Sequence, residues 1–121
     1  MADRGPARAV VCQAGNRQFT LDVAAVREVC TGINLVRVPG VAAPVEGVAN
    51  VRGTLVTVIR AADLLGGSAA PVPSLWLVVL WARGGRVGLG VDDVLDLAST
   101  ESPVPRLDVE RALAPLFGQL G

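Results

Sequence analysis

The residues of this chain best suited to chemistry are few: the acids Asp92, Asp93 and Asp96, the thiols of Cys12 and Cys30, and the guanidinium of Arg52. Histidine and tyrosine are both absent, which removes the commonest general base and one common acid. A serine or cysteine nucleophile needs a base and an orienting group beside it, and no GxSxG stretch supplies that arrangement. The sequence is read as that of a protein that is no enzyme. Asp92, Asp93 and Asp96 have the oxygen donors a Mg²⁺ or Ca²⁺ ion takes, but not the regular spacing of an ion-binding loop. The simpler reading is the end of a strand and a turn with solvated acids, so neither metal nor cofactor is expected. Gly66-Gly67 and Gly84-Gly85 precede no convincing helix and lack the GxxxxGK[ST] pattern of a phosphate cradle, and are read as turns. Cys12 and Cys30 form no CxxC pair and suit small buried hydrophobes of a reducing cytosol.

Arg52 poses a sharper question. It closes the strand-like run GVANVRG, Gly47 to Gly53, and another β-rich run, TLVTVIR, begins at Thr54. A fixed charge at the join of two apolar strands has two readings. One is a surface ion pair with a nearby acid such as Glu28 or Asp63. The other is a charged recognition point on an apolar surface, since arginine is enriched where interfaces concentrate their energy. Trp76 and Trp81 pose a similar choice, between core packing with each indole N–H satisfied locally, which is the expectation, and an aromatic ligand pocket.

The elements that must position these residues follow from pattern. At 121 residues the chain suits a single domain with a modest core. Its formal net charge is zero, which argues against a nucleic-acid footprint or a polybasic membrane surface. The longest apolar run, Leu75 to Ala82, falls well short of the roughly 20 residues that cross a bilayer, so no membrane insertion and a cytoplasmic location are expected. Residues 1–7 are read as a flexible N-terminus, and 8–121 as one domain. Arg8 to Ala14 and Arg17 to Leu21 read as strands around a Gly15-Asn16 turn. Asp22 is a plausible N-cap for a short helix VAAVREV, with Val23, Val26 and Val29 on one face. Ile33 to Val38, Val45 to Val51 and Thr54 to Ile59 are further strands. A helical turn follows at Asp63 to Gly66.

Leu75 to Trp81 suits a strand buried on both faces, and a hairpin turn over Ala82 to Gly85 leads into Arg86 to Val91. Gly88 and Gly90 on one side of that strand imply close approach by another backbone. Many short strands punctuated by glycine and proline indicate an all-β barrel or sandwich with short helices. The last segment reads as a helix over about 108–120, with Val109, Leu113, Leu116 and Leu120 along one face. Pro115 is expected to break or kink it. That helix either docks on the body or fills a partner's groove.

GNRQFTLDVAAVREV, VRVPGVAAPVEGVANVRGTLVTVIRAADLLG and VVLWARGGRVGLGVDDVLDL together resemble the CheW family of chemotaxis coupling proteins, in order and in spacing, from about Arg8 to Arg106. The resemblance implies a pair of small five-stranded β-barrels. It also implies a non-enzymatic adaptor between a methyl-accepting chemoreceptor and a CheA-type histidine kinase, or another CheW-like protein, with no cofactor. The receptor's helical hairpin is expected in an apolar groove between the barrels. Receptor-contact positions carried over on the family's motifs are Val26, Glu28, Gly47, Asn50, Arg52 and Gly53.

Three departures accompany it. Thr57 and Arg60 stand where the family usually has proline and aspartate, and a reversed charge at Arg60 alters any kinase-side contact there. The family's "T-G-x-G" segment and final hairpin have no counterpart before Gly121, so one barrel is expected to be incomplete. The helix from Asp108 is then expected to cover the exposed edge. Kinase binding, if it uses the completed end of a barrel, is expected to be weak or lost.

Overall fold

In the computed structural model the described residues are 8–32, 34–40, 44–65, 76–82, 84–99 and 103–118. β1 (Arg8–Ala14) and β2 (Arg17–Asp22) form the first hairpin, with Gly15 at φ 61° in its turn. Asp22 then caps a single 3₁₀ turn, Val23–Ala25, accepting the Ala24 N–H at 3.0 Å. The chain continues as β3 (Val26–Thr31), β4 (Leu35–Val36), β5 (Val45–Val51) and β6 (Thr54–Arg60). A one-turn helix α1 (Ala61–Leu64) precedes β7 (Trp76–Ala82), β8 (Gly85–Val91) and β9 (Asp93–Ser99). The last element is α2 (Val109–Gly118).

These strands make two sheets, ordered β2-β1-β9 and β3-β7-β8-β6-β5-β4, with β6 and β8 the parallel neighbours. The continuous apolar run of β7 has a specific meaning here. Side chains of a strand alternate between faces. Val78 and Leu80 enter a core with Phe19, Leu21, Ile59, Leu89 and Leu113. Leu77 and Val79 enter a second core with Ala49, Val56 and Val58. One strand is thus the shared wall of two hydrophobic lobes, and the fold is all-β with short helices. Gly88 lies on the second-core face, where an added Cβ would sit 2.6 Å from Leu77 Cδ1 and 3.2 Å from Val56 Cγ1. The close approach there is by side chains, rather than by the backbone expected.

The expected helix VAAVREV does not form beyond its first turn. Three β-branched valines favour extended backbone, and pairing of β3 with β7 decides the matter. The i, i+3 spacing of those valines is coincidental. The strand expected over Ile33 to Val38 reduces to Leu35–Val36, with Ile33 outside the described residues. The stretch after Asp92, read as a turn, is the full strand β9 paired with β1. Leu75, Gly66-Gly67 and residues 1–7 lie outside the described residues.

The C-terminal segment docks on the body. Thr20 N–H donates to the Pro105 carbonyl at 2.8 Å and Leu107 N–H to the Thr20 carbonyl at 2.9 Å, so residues 105–107 run along the outer edge of β2. An edge paired in this way is closed to other chains. Asp108 Oδ1 accepts the Arg111 N–H at 3.2 Å and caps α2. Leu113 is fully buried in the first core, with Leu107 and Val109 packed against it. α2 continues through Pro115 to Gly118 without the break expected.

Candidate functional site

The GVANVRG stretch folds into β5 and its turn. Val51 pairs with Thr54, leaving Arg52 and Gly53 as the two turn residues. Their φ values, 52° and 85°, are both positive, the signature of the primed turn that matches the twist of a tight hairpin. Asn50 Oδ1 accepts the Gly53 N–H at 2.8 Å and ties the turn down. Among the described residues Arg52 is the one non-glycine with positive φ, and residues held in this region cluster at functional sites. Gly47 serves a different need. A Cβ there would land on the carbonyl of Val36, so glycine lets β4 pack against β5.

The turn projects Arg52 toward β3, where its Nε donates to Glu28 Oε2 at 3.0 Å. The Arg52 side chain is 82% exposed and that of Glu28 27%. Cys30 Sγ donates to the same carboxylate oxygen at 3.4 Å. The Arg52 hydrogen bond, with help from the Cys30 thiol, holds the Glu28 carboxyl below its ordinary range. Burial and then Glu28 push the Cys30 thiol up, and Glu28 pushes the Arg52 guanidinium up. Cys30 is half-buried rather than a core hydrophobe, unlike Cys12, whose burial pushes its thiol up to about 12. The ion pair bridges the β5–β6 turn to β3 beside a groove of about 220 Å³, lined by Thr31, Asn34, Asn50 and these residues, with Leu77 at its base.

Not every predicted position reaches this groove. β3 is bulged between Val26 and Glu28: Val26 pairs with Leu80, Glu28 with Val79. The bulge puts the two residues on opposite faces, Val26 against the first core and Glu28 at the groove. Both sit on a strand, not on the short helix expected. Thr57 is exposed on β6. Arg60, half-buried at the end of that strand, lines a different cavity of about 390 Å³ with Arg37, Glu46 and Asp63.

The acids at 92 and 93 act locally. Asp92 Oδ2 accepts the Gly15 N–H at 2.6 Å, Asp92 N–H donates to the Gln13 carbonyl at 2.8 Å, and Asp93 Oδ1 accepts the Val94 N–H at 2.9 Å. The Asp96 side chain lies outside the described residues. Among the described residues no three metal-ligating side chains converge, and no helix is long and apolar enough to cross a membrane.

Trp76 is half-buried against the first core. Trp81 departs from the core packing expected: it is 48% exposed, with the Arg27 guanidinium carbon 5.4 Å from its ring centroid. Nothing in the sequence signalled Arg27, because its position depends on the bulge.

The sequence profile of the CheW-like domain matches residues 8–113, most of the chain and all of this site. The chain belongs to the CheW-like domain family. Among solved structures, this CheW-like domain is similar to the scaffolding protein TtCheW from Thermoanaerobacter tengcongensis. The TM-score is 0.70 at 20% identity, over 83% of this chain and 76% of that one, which shows a shared fold. No curated protein matches the sequence at a significant level.

Proposed function

We propose that this CheW-like domain is a non-enzymatic adaptor of a chemosensory array that holds the helical signalling tip of a methyl-accepting chemoreceptor. The groove between β3 and the β5–β6 turn is the docking surface. The observation that carries this reading is the Arg52 turn. A charged side chain is held on a left-handed backbone, in a fixed hairpin, at the rim of a groove with an apolar base. Such an arginine can exchange Glu28 for a carboxylate or carbonyl on a receptor helix while the backbone stays in place. Asn50, Glu28 and Gly53 then act as positioning residues for Arg52. Kinase binding is weak on this reading, because Arg60 puts a positive charge where the family usually has an acid, and opposing charges set partner choice.

Arg52→Asp tests the receptor assignment. Aspartate tolerates positive φ better than most residues, so the turn survives while the charge reverses. Calorimetry against a receptor-tip hairpin is expected to show affinity about tenfold lower or worse, with an unchanged melting temperature. Unchanged affinity would refute the assignment. The same titration with the regulatory domain of a CheA-type kinase is expected to show little heat; tight binding there would make the chain a full coupling protein.

A further inference from the structure

Arg27, Trp81 and Arg86 form a surface that the docking groove does not include. Trp81 and Arg86 are directly opposed in the β7–β8 register, and Arg27 lies over the Trp81 ring. Arg27, Trp81 and Arg86 are all exposed. The surface is continuous with the groove, since Glu28 pairs with Val79, two residues before Trp81 on the same face of β7. Two strand residues span about 7 Å, close to the roughly 5.4 Å of one helical turn.

Arg52 pairs with the Glu28 carboxylate and the charge of Arg86 also reaches it, while Arg27 lies over the Trp81 ring, in a chain whose net charge is zero. Trp81 also lines a cavity with Asp22, which pairs with Arg106 at 3.8 Å, and with Asp108 and Glu110. A half-exposed indole flanked by arginines has the composition of an interface anchor.

We propose that Arg27, Trp81 and Arg86 are a second docking contact, which takes an acidic amphipathic helix with an apolar side chain on the Trp81 ring and carboxylates on the two guanidinia. This rests on the receptor reading above, the helix being the one whose next turn meets Arg52.

The test uses the full chain carrying Trp76→Phe, so that emission reports Trp81 alone, with and without Arg27→Glu and Arg86→Glu. Two probes are titrated: a receptor-tip hairpin, and a synthetic helical peptide with one leucine flanked by glutamates, compared with its glutamine counterpart. The proposal expects the tip to shift Trp81 emission and the double variant to lose about tenfold in affinity or more. If the tip binds but neither emission nor affinity responds, the second contact is overturned and the groove reading stands. If the tip does not bind at all, the groove reading fails and the peptides decide. Binding of the glutamate form alone, weakened by salt, supports the acidic-helix contact; equal or absent binding overturns it.

Discussion

Leu113→Ala separates the two roles open to the C-terminal helix. Leu113 is fully buried, in one core with Phe19, Leu80 and Leu89. Truncation to alanine removes about three methylene equivalents, which at roughly 0.8 kcal/mol each amounts to about 2.4 kcal/mol. The cavity left among strand residues that cannot fully collapse raises this toward the roughly 3 kcal/mol typical of such sites. Against a stability of about 5–15 kcal/mol for an ordinary domain, that is a large fraction. Urea unfolding followed by circular dichroism is the assay. With an m-value of about 1.5 kcal/mol/M, the midpoint falls by about 2 M. Leu55→Ala, at a site 72% exposed, is the control and is expected within about 0.5 kcal/mol of the parent. A Leu113→Ala cost below about 1 kcal/mol would refute the reasoning, and would mean that α2 sits loosely on the body and is available to a partner.

Three further outcomes follow from particular contacts. Gly47→Ala drives a Cβ into the Val36 carbonyl, and should cost about 1–3 kcal/mol through displacement of β4, read by thermal melting; an unchanged melt would count against the close approach. Asp92→Ala removes the acceptor of the Gly15 N–H and should cost about 1–2 kcal/mol in urea unfolding, with no change if a solvent hydrogen bond serves as well. The Glu28 carboxyl is held low chiefly by its bond from Arg52. The Arg52–Glu28 link is therefore fully present above the ordinary glutamate value of 4.5 and lost as pH falls through the lower folded value. Carbon-detected titration of Glu28 should give a midpoint below 4.5 that returns toward it in Arg52→Ala; an identical midpoint in both would show that the pair does not form in solution.

The sequence by itself determined the strands whose signals are local. The Gly15-Asn16 turn, the β-rich runs on either side of Arg52-Gly53 and the Gly84 hairpin each carry their turn chemistry within a few residues. The apolar run at β7 announced burial on both faces, and the order of motifs carried the family. The Asp22 cap was legible for the same reason, as was the start of the last helix near Asp108. Tertiary structure decided what depended on a distant partner. Val26–Thr31 is a strand because β7 lies beside it, and its bulge, which no local pattern encodes, sends Val26 to a core and Glu28 to the groove. Asp93–Ser99 is a strand because β1 offers an edge. Arg52 could pair with Glu28 or Asp63 as far as the sequence went; only the hairpin's direction chose Glu28, 24 residues away. Trp81 lies outside the core because the second-core face of β7 runs out at its end, leaving the ring to Arg27 and solvent. Periodicity reads what a residue prefers within its own strand, while a site is made by which strands meet.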